Sequence, residues 1–157
     1  MKGETLFRDH GKQVAALCWR MGKRGLEVLL ITSLNSKRWI LPKGWPEPNL
    51  TAAETAAREA FEEAGVTGKI GADAIGHYLY LKEKREGGGV PVNVDVFALQ
   101  VTKQLDDWPE KDQRDMTWVG LDQAAAKVSE PGLRDVLKDF RRYYAAHRPA
   151  QATRRRG

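Results

Sequence analysis

Cysteine is nearly absent: Cys18 is the single thiol, so no intrachain disulfide can form and a cross-linked scaffold is excluded. It lies in the apolar run Val14 to Trp19, without an obvious partner to make a thiolate, and reads as a small buried side chain rather than a nucleophile. Long hydrophobic runs are missing as well. Val28-Leu29-Leu30-Ile31 is strand-sized, far short of the roughly 18–20 residues that span a bilayer, so no membrane segment is expected. Met1 to Gly11 is polar and mixed in charge, with neither the apolar stretch nor the cleavage site of a secretory signal, which makes the cytoplasm the expected compartment. No internal repeat is present. Neither sign of charge dominates: 26 basic against 21 acidic side chains leave a net +5, part of it from Arg154-Arg155-Arg156. That balance attracts phosphates, nucleic acid or acidic lipid without choosing among them.

What is present is an ordinary globular composition, 41% apolar and 30% charged over 157 residues, which suits one domain with a real core. Residues 1–147 are read as that domain and 148–157 as a basic, disordered tail without apolar periodicity. Gln13 to Trp19 and Leu26 to Ser33, rich in β-branched and apolar residues, predict a hairpin. Arg38 to Pro42 predicts a short extended piece, and Lys43 to Asn49, with its glycine and prolines, a loop. Thr51 to Ala64 predicts a helix, started by a capping box of Thr51 and Glu54 and stopped by Gly65. Alternation around His77 to Leu81, a charged turn over Glu83 to Gly89 and an apolar run over Val90 to Val101 predict two further strands. An acidic loop, Lys103 to Asp115, leads to a strand at Met116 to Val119, a brief helix at Leu121 to Val128 and a longer one whose face is Leu133, Val136, Leu137 and Phe140. This order allows α/β or α+β.

The chemistry concentrates on the first helix. Glu59 and Glu63 are four residues apart and Glu62 lies next to both on the helical surface, so three carboxylates share about one turn. The ordinary meaning of such residues is a solvated helix face. Here Gly44 and Arg58 precede them and Gly65-Val66 follows, and the run Gly44…Arg58-Glu59-Ala60-Phe61-Glu62-Glu63-Ala64-Gly65-Val66 resembles the Nudix signature G-x5-E-x7-R-E-U-x-E-E-x-G-U. One position departs from it: Leu50 stands where the signature has its first Glu, and Glu54 or Glu47 is the candidate substitute.

The resemblance implies a Nudix α/β/α sandwich with a mixed sheet between helices, and a metal-dependent hydrolase that cleaves a diphosphate linkage. Glu59, Glu62 and Glu63 are the implied metal ligands, and oxygen donors beside a glycine loop suit Mg²⁺ or Mn²⁺ rather than zinc. Arg58 is implied to orient a carboxylate, pairing with Glu54 or Glu62. Both Glu63 and Glu110 qualify as general base, Glu63 being preferred for its place near the metal. Val14 to Trp19, Arg38 to Pro42, and Leu105-Asp106-Asp107-Trp108 with Arg114 and Trp118-Val119 further resemble the diphosphoinositol polyphosphate phosphohydrolases, a branch that also cleaves diadenosine polyphosphates. On that likeness Lys12, Arg38, Lys43 and Gly44 are candidate phosphate contacts, with Gln13 in place of an expected base and Lys82, Lys84 and Arg85 as further cations. Pro42-Lys43-Gly44 is also similar to asymmetrical diadenosine tetraphosphate hydrolases. The expected partner is thus a small-molecule polyphosphate, with no membrane. The rival readings are a nucleotide or RNA 5′-pyrophosphohydrolase, suggested by the arginine tail, and a Nudix-fold binding module without turnover.

Overall fold

A computed structural model describes residues 11–83 and 87–147. The tail at 148–157, Lys84 and Arg85 lie outside the described residues. Strand β1 (Lys12–Gly22) is central. Its end pairs antiparallel with β2 (Gly25–Thr32), and Gly25, at φ +118°, supplies a turn conformation that side chains resist. Along Lys12 to Trp19 it runs parallel to β7 (Gly89–Gln104). The short β3 (Trp39–Ile40) and the β8 strand (Met116–Gly120) flank β2, while β4 (Lys43–Gly44) pairs with Val14 and Ala15 of β1. The first half of β7 carries β6 (Gly76–Glu83) and its second half β5 (Val66–Ile70). The sheet is therefore mixed, as predicted. Strand β5 escaped the sequence reading: its polar middle, Thr67-Gly68-Lys69, is exposed, and it pairs because the long β7 offers it an edge.

Alternation along β1 divides the core in two. Ala15, Leu17 and Trp19 face helices α2 (Leu121–Lys127) and α3 (Pro131–Ala146), meeting Leu133, Leu137 and Phe140. Val14, Ala16 and Cys18 face helix α1 (Ala52–Ala64) and its small-residue stripe Ala53, Ala56, Ala60 and Ala64. Helices on both faces make the predicted α/β/α sandwich. Alanines hold no bulk between helix and sheet, so α1 comes close enough to β1 for its glutamates to reach β4. Both caps of α1 form as the sequence predicts: Thr51 and Glu54 make the reciprocal capping box, and Gly65 ends the helix at φ +68°. Among the described residues, no helix is long and apolar enough to cross a membrane.

Candidate active site

Helix α1 does not present its three glutamates alike. Glu63, expected on the ligand-facing side with the others, is buried at 6% exposure. Its Oε1 accepts from the Lys43 backbone N–H at 3.2 Å, and Arg114 stands 3.8 Å from its Oε2. Burial first, then the neighbouring Glu59 carboxyl group, raises Glu63 above the usual carboxylate range to about 9, against the pull of Arg114. Burial raises Glu59 as well. Glu62 turns away to accept from Arg58 Nε at 2.9 Å. The three glutamates stand as a pair plus one, and among the described residues no three acidic, histidine or cysteine side chains are gathered as a metal cluster. Arg58 draws the third carboxylate aside because the i,i+4 spacing puts a guanidinium within its reach.

Loops close the pair in from two sides. Gly44 on β4 packs directly on Glu59, whose carboxyl group a Cβ there would overlap. The acidic loop docks onto the end of α1: Glu110 donates its backbone N–H to the Glu62 carbonyl at 3.0 Å. Arg114, with a side chain only 9% exposed, spans the gap. Its Nε and Nη2 donate to Glu110 Oε1 at 3.2 and 3.0 Å, and its Nη1 donates to the Thr32 carbonyl of β2 at 3.1 Å. Glu110 is therefore held by Arg114, which also stands beside Glu63, rather than left free in the loop. Of the two substitutes for the missing signature carboxylate, Glu47 lies 3.8 Å from Arg58, whereas Glu54 is committed to the helix cap.

A small pocket lies on the α3 side of the sheet, and neither Glu59 nor Glu63 lines it. Its walls include Arg38, Lys43, Tyr78, Tyr80 and Glu130. Lys43 Nζ donates to Gln13 Oε1 at 3.2 Å and to the Tyr80 hydroxyl at 3.0 Å, and that hydroxyl donates to Gln13 Oε1 at 2.9 Å. Burial lowers the Lys43 ammonium to about 8, against the pull of Glu63. Arg38 sits 3.8 Å from Glu130. Lys12 does not join Arg38 and Lys43: strand alternation sends it to the opposite face from Gln13, where it pairs with Asp95 at 3.2 Å. Lys82 and His77 are both exposed on β6. Arg114, Gln13, Tyr78, Tyr80 and Glu130 had no assigned part in the sequence reading. Two of them carry a signal in the sequence, Arg114 as part of the branch resemblance and Gln13 as the replacement of an expected base.

A helix whose glutamates are clamped under a glycine loop, on one side of a mixed-sheet sandwich, is the arrangement of the Nudix fold. The NUDIX domain model matches residues 10–140, and the chain belongs to the Nudix family. It is 34% identical to Nudix hydrolase 13, mitochondrial, of Arabidopsis thaliana over 127 residues, which cover 76% of this chain and 62% of that protein. To diphosphoinositol polyphosphate phosphohydrolase 3-beta of Bos taurus it is 38% identical over 100 residues, 63% of this chain and 56% of that one. The matches thus span between 54% and 64% of the length of these plant and animal relatives. The crystal structure of a C. elegans Ap4A hydrolase binary complex superposes with a TM-score of 0.65 at 23% identity, over 87% of this chain and 98% of that one, which shows the fold.

Proposed function

We propose that the chain is a metal-dependent hydrolase that cleaves a diphosphate linkage in a highly anionic substrate, such as a diphosphoinositol polyphosphate or a diadenosine polyphosphate. The observation that carries this reading is the placing of Glu59 and Glu63 on one helix, Glu59 pressed against Gly44 and Glu63 held by the Lys43 amide. Two neighbouring carboxyl groups on one helix, one of them buried, are a donor set suited to a divalent cation. Mg²⁺ or Mn²⁺ fits, because such ions are held by one or two carboxylates together with waters and substrate phosphates. Glu59 and Glu63 would hold the ion, with Glu62 joining on release from Arg58. When bound, it supplies positive charge to diphosphate oxygens and a water of lowered pKa.

The protein's own groups do the positioning. The Lys43 amide and Arg114 fix Glu63, Gly44 keeps the loop close to Glu59, and Arg58, backed by Glu47, holds Glu62. Arg38 and the Lys43 ammonium are the phosphate contacts. Glu63 is the preferred general base and Glu110, linked to it through Arg114, the alternative. Incubation with Mg²⁺ and, separately, diadenosine hexaphosphate, a diphosphoinositol phosphate, a nucleoside triphosphate or triphosphorylated RNA should yield phosphate-containing products from one of the first two. Glu59→Gln and Glu62→Gln should each lower turnover by about a hundredfold with the fold intact. Substrate binding without any product would replace this reading with that of a binding module.

A further inference from the structure

Two leucines stand in the open on one strand. The large apolar side chains left exposed among the described residues are Met21, Leu34, Leu79 and Leu81, and the last two lie two residues apart on β6, at 60% and 61% exposure. Alternation puts them on the face opposite Tyr78 and Tyr80, which turn towards α3. Helix α1 covers that face over β1 and over Phe97 and Leu99 of β7, and the leucines lie beyond it, beside Asn93 and Pro91. The edge of β6 is open too. Among the described residues it pairs with β7 alone. From Gly76 to Leu81 it carries no Lys, Arg, Asp or Glu, no proline and no bulge, the features that keep an edge strand from pairing with another chain.

A second copy meets this edge in a self-complementary way. Two identical strands paired antiparallel about a two-fold axis keep their faces, so residues directly opposite share a face. With Tyr80 on the axis, Leu79 of each copy lies opposite Leu81 of the other, and both leucines are covered. Moving the axis to Leu79 or Leu81 leaves one leucine of each copy opposite a polar residue. The Tyr80 register also sets Lys82 opposite Tyr78 on the other face. Tyr78 lies under the start of α3, where Gly132 packs on its Cβ and Glu130 walls the same pocket. The exposed Lys82 of each copy thus comes beside the Glu130 carboxylate of the other. We propose that β6 is the contact surface for a second copy of this chain, joining two sheets edge to edge in the register that opposes Leu79 to Leu81. The contact lies outside the diphosphate chemistry and does not depend on it.

Sedimentation velocity on a dilution series of the full chain tests it. One strand edge and two leucines from each copy bury little surface, so the dimer is weak, and the mean mass should rise with concentration towards twice that of one chain. Leu79→Lys and Leu81→Lys should each weaken association by about tenfold or more, with circular dichroism and thermal midpoint unchanged. Leu34→Lys, at an exposed leucine away from β6, should leave association as it is. Lys82→Glu should weaken it as well, and adding Glu130→Lys to that variant should restore it, which nonspecific apolar association would not do. A monomer at every concentration, an equal loss in the Leu34 variant, or no recovery in the paired charge reversal would overturn the proposal. Because no turnover is measured, a chain without hydrolase activity would still return a clear answer about β6.

Discussion

Gly44 and Glu59 show how a single missing methyl group governs the site. A side chain at position 44 would overlap the Glu59 carboxyl group, the movable end of a flexible side chain, so the backbone can stay while the carboxyl group is displaced. Gly44→Ala is therefore expected to lower both Mg²⁺ affinity and turnover by tenfold or more while the thermal midpoint moves little, checked by metal titration alongside a melt. Glu47 and Glu54 separate in the same way. Glu47 stands beside Arg58 and Glu54 closes the helix cap. Glu47→Gln should lower kcat about tenfold, whereas Glu54→Ala should leave kcat alone and destabilise the fold by about 0.5–1 kcal/mol in urea denaturation. Cys18 tests the interior. Fully buried, with its thiol pushed up chiefly by desolvation and then by Glu63, it should resist thiol reagents in the native protein and react at once in denaturant.

At the level of elements, α1 is held at its end by a fit between a helix cap and an aromatic ring. Gly65 ends the helix at φ +68°, and a Cβ there would run into the Trp108 ring. Gly65→Ala combines the cost of a left-handed conformation with overpacking, so it should destabilise the fold by about 2–4 kcal/mol and loosen the acidic loop that brings in Glu110. Urea melts would measure the first effect and amide exchange at Glu110 the second. Helix α1 itself was legible in the sequence, because capping box, alanine stripe and terminal glycine are all local signals. Strand β5 was not: its polar, glycine-containing stretch becomes a strand only beside the overhang of β7.

Across the whole molecule, Arg114 links three parts that lie far apart along the chain. It reaches the Thr32 carbonyl of β2, Glu63 of α1 and Glu110 of the acidic loop. Replacing it with Ala leaves a buried carboxylate and a carbonyl without their partner, and a loss of about 2–3 kcal/mol is expected, with a fall in turnover that Arg114→Lys only partly restores. Equilibrium denaturation and initial rates would read the two.

The sequence by itself determined the glutamate-bearing helix with both caps, the central hairpin, the long C-terminal helix and the family signature, because each rests on residues within one or two turns of each other or on strict alternation. Tertiary structure alone decided which glutamates pair, since that depends on Gly44 and the Lys43 amide meeting the helix from another strand. It also decided the pocket, where Tyr80 meets Gln13 across 67 positions, and the reach of Arg114 to Thr32 across 82. Contacts over such separations carry no local pattern. They exist because the sheet and the two helical layers bury their apolar faces together and bring those polar groups side by side.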